Sequence, residues 1–261
     1  MIRIPVFLLL GALALFSSVA AARSIEEIKQ SGELKVAIRD NLPPMEFMDN
    51  GKLVGIDPEL AEMLAQSLGV KPTWVFFKET KEREALLSEQ KVDVVVSAYS
   101  VTEKRMELVN FSESYFDSGS AILIRRADRD KIKGHKDLAG KNVATLKGSV
   151  SATTMENFIA SAIPSLVSST IEDGYKMLKE GKADAVLYDK PMLDFVAAKD
   201  DALLVVDETP LDPSPYAIGV SLQDIELLGH VNQFLKGVKD DGKLTGLLQK
   251  YSTASIPLVS V

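Results

Sequence analysis

An α/β fold with mostly parallel sheets is the class this sequence predicts, because strand-like apolar runs alternate with helix-like segments along most of its length. Two of those runs are the sharpest signals. Val92 to Val96 passes straight into Ser97-Ala98-Tyr99-Ser100, and Ala183 to Tyr188 runs into Asp189-Lys190-Pro191. Apolar runs that stop on polar residues read as buried strands whose ends carry functional groups, the place where open α/β sheets bind ligands.

The elements follow in order. Ser24 to Gly32 reads as a short helix. Asp57-Pro58-Glu59 starts the next, with aspartate as cap and proline at the first position; Leu60, Met63, Leu64 and Leu68 form its apolar stripe and Gly69 stops it. Pro72 to Phe77 is a strand, Thr80 to Gln90 a helix, and Val92 to Val96 the strand that follows. Between Tyr115 and Arg126 the pattern changes, with Phe116-Asp117-Ser118-Gly119-Ser120 interrupting the apolar residues before Ala121 to Ile124 begins a new strand. Next come a strand over Asn142 to Leu146, a loop over Lys147 to Val150, a helix from about Ser151 and a helix from Glu172 ended by Gly181. After the Asp189 strand, two prolines in Asp212-Pro213-Ser214-Pro215 restrict the backbone. Tyr216 to Val220 and helices over Gln223 to Val238 and Gly242 to Tyr251 follow.

Composition narrows the function classes. The 261 residues are 46% hydrophobic and can bury one large core or two modest ones. In the first twenty-two residues Arg3 is the sole charge, Ile4 to Phe16 is apolar and Ala20-Ala21-Ala22 offers small residues for cleavage, so 1–22 reads as a secretory signal peptide. That run is shorter than the roughly 20 residues a spanning helix needs. Without cysteine there is no disulfide framework, no thiol nucleophile and no lipid-bearing cysteine, so a free protein of the periplasm is expected. A net charge of −7 without a basic run argues against nucleic acid. His135 and His230 stand far apart, with no metal-ligand spacing, and no nucleophile motif or phosphate-binding glycine loop occurs; no metal or cofactor is expected.

The two strand ends carry complementary charges. Ser100 or Thr102 can cap a helix after the first strand, and its free amides together with the planar fork of Arg105 suit a carboxylate. The second strand ends on the acid Asp189, before a proline suited to a first helical turn. Cation and acid together match the two ends of a free amino acid.

Several further pieces stand in a fixed order: Leu34 to Ile38, Leu42-Pro43-Pro44-Met45-Glu46-Phe47, Gly51 to Asp57 with Glu59-Leu60-Ala61, Ser100 to Arg105 with Phe111-Ser112, Gly140 to Val143, Gly148-Ser149, and Leu187 to Pro191. In these the chain resembles the family 3 solute-binding proteins of polar amino-acid ABC transporters and their relatives, the ligand cores of glutamate receptors. The resemblance implies a two-lobed periplasmic binding protein of type II, with two hinge crossings and a ligand cleft between the lobes. Residues 23–117 and 214–261 would form the first lobe and 118–213 the second, with the crossings at Phe116 to Ser120 and Asp212 to Pro215. It implies that Arg105, the Ser100 amide and Gly148-Ser149-Val150 hold the ligand carboxylate. Asp189, the Ala98 carbonyl and the Ser97 hydroxyl would meet the ammonium.

Leu42, Tyr99 and Thr80 or Lys81 would border the side-chain end, with Leu42 standing where many relatives carry an aromatic residue and Tyr99 as the replacement surface. Val150 lacks the hydroxyl of the threonine common at its position. A cation among Thr80, Lys81 and Arg83 would favour an acidic ligand, and glutamate or glutamine is the expected one; Glu46 and Phe47 are expected in packing. The implied partners are an amino acid and an inner-membrane ABC permease, the protein acting as a monomer and not as an enzyme. The alternatives are an exported cyclohexadienyl dehydratase, with Glu46, Glu82 or Lys147 as acid or partner, and a soluble amino-acid sensor.

Overall fold

The computed structural model describes residues 22–159, 163–167, 170–206 and 210–252, so the expected signal peptide lies, but for Ala22, outside the described residues. The first stretch contains α1 (Ile25–Ser31), β1 (Glu33–Ile38), β2 (Asn41–Leu42), β3 (Glu46–Asp49), β4 (Lys52–Val54), α2 (Ile56–Ser67), β5 (Lys71–Phe76), α3 (Glu82–Ser88), β6 (Val94–Val95), α4 (Glu103–Met106) and β7 (Val109–Phe116). The middle stretch contains β8 (Ser120–Arg125), β9 (Asn142–Leu146), α5 (Val150–Phe158), β10 (Ile163–Val167), α6 (Ile171–Lys179), β11 (Ala185–Asp189), α7 (Lys190–Lys199) and β12 (Leu203–Val206). The last holds β13 (Tyr216–Ser221), α8 (Ile225–Asp240) and α9 (Lys243–Lys250).

Local chemistry sets these limits. Ser24 and Glu27 form a reciprocal capping box on α1, and Gly32 ends it at φ 73°, a left-handed conformation that suits glycine. Val36, Ala37 and Ile38 of β1 are wholly buried, as a central strand covered on both faces requires. In α6, Ile171, Gly174, Tyr175 and Leu178 fall on one helical face and are the buried ones.

Two five-stranded sheets result, ordered β5-β1-β6-β13-β7 and β10-β9-β11-β8-β12, beside a small sheet β2-β3-β4. The two large sheets share one plan: three parallel strands, then an antiparallel fourth, then an edge strand antiparallel to it. Four of the five strands in each sheet therefore run one way, in keeping with the mostly parallel sheets expected, and β13 or β8 is the antiparallel exception. The fourth strands β13 and β8 each begin directly after a passage between the sheets, so they enter opposite to the strands laid down by helical crossovers. The small sheet was not anticipated, because its strands of two to four residues are too short to show a period.

The chain passes between the sheets at Asp117 to Gly119 and again before Tyr216. The passages run side by side: Ser214 N–H donates to Ser118 O at 2.8 Å, Leu211 N–H to Ser120 O at 2.8 Å, and Gly119 bridges Pro213. A Cβ at Gly119 would lie 2.5 Å from Pro210 Cβ and 2.7 Å from Asp212 O, so only glycine permits this approach. Between the lobes, Phe47 meets Phe195 with ring centroids 6.1 Å apart.

Candidate functional site

A narrow, largely closed cleft lies between the two sheets. From the first lobe it is lined by Arg39 and Leu42 after β1, Thr80 and Arg83 at α3, Ser97, Ala98 and Ser100 after β6, and Arg105 in α4. The second lobe contributes Ser149 and Val150 at the start of α5 and Tyr188 and Asp189 at the end of β11. Strand ends deliver most of these groups, as expected of an α/β cleft.

Arg105 is fixed from behind. Its Nη1 donates to Ser100 O at 2.8 Å, its Nε lies 3.9 Å from a Glu84 carboxylate oxygen, and its guanidinium sits 5.2 Å from the centre of the Tyr99 ring. Burial, with Arg83 beside it, lowers its pKa to about 10, which leaves it charged at neutral pH. Thr102, not Ser100, caps α4, its hydroxyl accepting from Arg105 N–H at 3.3 Å. Because α4 is a single four-residue turn, the guanidinium and not a helix dipole is the chief attraction for an anion here.

Asp189 is held on both oxygens: Ser151 donates to Oδ1 at 3.1 Å and the Tyr216 hydroxyl to Oδ2 at 2.5 Å. Tyr216 belongs to β13 of the first lobe, so this bond spans the cleft. Burial raises the Asp189 pKa, and the two donors and Arg105 pull it back. Ser149 caps α5, accepting from Ala152 N–H at 3.1 Å while its own O–H stays available, and Gly148 takes φ 78° just before it. Gly148 is not among the lining residues; a Cβ on it would lie 3.6 Å from Thr80 Cβ, in ordinary contact with the facing lobe.

A buried acid pair props the first-lobe wall. Ala98 adopts φ 40°, and its N–H donates to Asp57 Oδ2 at 2.6 Å, while Tyr115 donates to Oδ1 at 2.7 Å. Glu46 accepts from Arg39 N–H at 3.1 Å and from the Ser97 hydroxyl. Burial raises the Asp57 pKa to about 7, and burial together with Asp57 pushes Glu46 well above the usual carboxylate range. The Ser97 hydroxyl is thus tied to Glu46, and a remaining lone pair can face a ligand ammonium.

The cleft gathers Arg105, Asp189, Ser100, Ala98, Ser97, Ser149, Val150, Leu42 and Thr80 as the sequence anticipates. Tyr99 needs correction: it is fully buried behind the cleft, its hydroxyl donating to Glu84 at 2.8 Å and its ring set edge-on to Phe111 at 4.7 Å. It is a platform for arginines and not a wall for ligand. Lys81 points away, its side chain 85% exposed and paired with Glu79. Leu42 lines the cleft yet is also core, only 5% exposed.

None of Glu46, Glu82 and Lys147, the residues named for an elimination, lines the cavity. Arg39 and Tyr188 do line it and were missed. The strand-end argument applied to β6 and β11 would have found Arg39 had it also been applied to β1, which stops at Ile38.

Comparison with known proteins agrees with this geometry. Residues 34–254 match the bacterial extracellular solute-binding proteins, family 3. The chain belongs to that family. Its relatives in this family include the L-cystine-binding protein TcyJ of Escherichia coli K12, 31% identical over 89% of this chain and 87% of the relative. A glutamine-binding protein of Geobacillus stearothermophilus is 31% identical over 77% of each. Among solved structures, a mutant of ArgBP from T. maritima superposes with TM-score 0.80 at 33% identity, covering 87% of this chain and 98% of that one. The first two are by name amino-acid-binding proteins, and the two-lobed α/β fold of these relatives is the fold found here.

Proposed function

We propose that this solute-binding protein captures a free polar amino acid outside the cytoplasm and presents it, as a monomer, to an ABC permease. The observation that carries the proposal is the placement of Arg105 and Asp189 on opposite walls of one buried cavity. In this reading the α-carboxylate takes the Arg105 fork with the Ser100 amide and the Ser149-Val150 end of α5. The α-ammonium takes Asp189, the Ala98 carbonyl and the Ser97 lone pairs. Both charges need partners, since an unpaired ion in a closed cleft costs several kcal/mol.

Residues 23–117 with 214–261 form one lobe in this proposal and 118–213 the other, and they bend about the paired crossings at Phe116 to Ser120 and Asp212 to Pro215. Only closure brings Arg105 and Asp189 to the same ligand, so ligand shifts the hinge equilibrium and the closed form is what the permease reads. Glutamate and glutamine are the first candidates. Differential scanning fluorimetry across the twenty amino acids tests the proposal, because a ligand bound only by the folded state raises Tm. A single polar amino acid or a narrow group should raise it; a flat response to all twenty would refute the reading.

A further inference from the structure

The cleft holds more positive charge than an amino acid's two ends can use. Arg39, Arg83 and Arg105 all line it, against Asp189 as the one lining carboxylate. They stand in a row on two aromatic rings: the Arg39 guanidinium is 5.1 Å from the Phe77 ring centre and that of Arg83 5.9 Å from it, while Arg83 and Arg105 lie 4.1 and 5.2 Å from the centre of Tyr99. Arg83 is the middle member, sharing one ring with each neighbour.

Two of the three, Arg39 and Arg83, lack counter-ions among the described residues. Among the described residues, Arg105 reaches a carboxylate at 3.9 Å, but neither Arg39 nor Arg83 forms an ion pair. Arg83 gives Nε to Thr80 O and Nη1 to Ser97 O, both neutral carbonyls. Arg39 gives Nη2 to Lys78 O at 3.0 Å and Thr80 Oγ1 at 3.1 Å, and its Nε finds no acceptor among the described residues although the residue is only 6% exposed. Glu46 touches the Arg39 backbone, but it is buried beside Asp57 and held toward its neutral form, which makes it a weak counter-ion. Buried guanidiniums that face a cavity and have no carboxylate paired with them are a site for one.

We propose that Arg39, Arg83 and the Thr80 hydroxyl form a second anion subsite, which selects amino acids bearing a second carboxylate over the corresponding amides and over cationic amino acids. The inference rests on the amino-acid reading above and narrows it. Two kinds of ligand share this chemistry: a dicarboxylic amino acid such as glutamate or aspartate, and cystine, whose far end also carries a carboxylate. Glutamine matches glutamate in shape but offers only a neutral amide to the two guanidiniums.

Isothermal calorimetry on the mature chain, with glutamate, aspartate, cystine, glutamine and arginine as titrants, decides the matter. At least one of the three acids should bind ~30-fold or more tighter than glutamine or arginine, a margin typical of one charged partner gained in a desolvated site. Arg39→Gln should weaken that acid by ~30-fold or more while changing glutamine by less than ~3-fold, and Arg39→Lys, which keeps the charge and loses the fork, should fall between. Glutamine or arginine binding as tightly as every acid would overturn the subsite and leave the Arg105 and Asp189 clamp standing. Equal losses for acid and amide in Arg39→Gln would overturn it too, by making Arg39 structural. If the glutamine variant does not fold, the ranking in the unaltered protein still decides. Failure of the amino-acid reading itself would look different, as no heat with any of the five together with no rise in Tm with any of the twenty amino acids.

Discussion

The two walls of the cleft are built differently. The first lobe presents three arginines, each tied to carbonyls or aromatic rings behind it, and a loop propped by the buried Glu46 and Asp57. The second lobe presents one charge, Asp189, with Tyr188 and the start of α5. The dense wall is held in place from behind, and in the proposed function it receives the anion while the sparse wall adds a single partner and acts as the cover. Preorganisation of this kind reduces the ordering cost that binding must overcome. Even Asp189 leans on the dense side, through Tyr216.

The largest test of this contrast is Arg105→Ala. Loss of a charge-assisted, largely buried anchor should weaken amino-acid binding by about 3 kcal/mol or more, roughly a hundredfold or greater in Kd by calorimetry. Unchanged affinity would mean that the dense wall is scaffolding only. Next in size, Asp189→Asn keeps shape and removes charge, and should cost about 2 kcal/mol for the amino acid but little for its analogue without the ammonium. Equal losses for both would assign Asp189 to structure and leave the second wall without its partner.

Tyr216→Phe is a finer probe. It removes one donor to Asp189 and should weaken binding by about 1 kcal/mol, with folding preserved because the ring still stacks on Phe116 at 5.6 Å. No change would show that Ser151 alone orients the acid.

The last test concerns the prop, and it reads stability and not affinity. Asp57 has a pKa of about 7 in the folded chain, above the ordinary carboxylate value it regains on unfolding. Between those values the folded state keeps a proton that the unfolded state releases. Its contribution to stability is therefore full below the ordinary range and is lost as pH rises toward 7, by at most about 1.4 kcal/mol per pH unit. Asp57→Asn should flatten the fall of Tm between about pH 5 and pH 7. A slope unchanged in the variant would place the titration elsewhere.

Sequence reading reached the outline of this site because strand ends are visible where an apolar run meets polar residues. Val96 to Ser100 and Tyr188 to Asp189 both show that break. Arg39 shows it too, after Ile38, but a lone arginine beside Asp40 looks like an ordinary surface pair until the fold buries it to 6% exposure. Tyr99 was misplaced because neighbours in a sequence do not share a side: Ala98 takes a left-handed turn, and the ring drops into the cluster around Phe77, Leu87 and Val95. The antiparallel fourth strands escaped for a related reason. Strand direction depends on where the chain re-enters, and residue type does not record that.

The strand order also fixes when each half can be finished as the chain emerges. The sheet of the second lobe draws all five strands from residues 120–206, an unbroken stretch. The first-lobe sheet has β13 set between β6 and β7, so it stays open at its middle until residue 221 has been made. The gap falls beside the segment that leads to Arg105: Ser100 bridges Tyr216, Val101 N–H donates to Pro215 O at 2.9 Å, and Ala217 N–H to Tyr99 O at 3.1 Å. The wall proposed to meet the ligand's carboxylate is therefore begun first in synthesis and completed last, which would deny a half-made chain a working site.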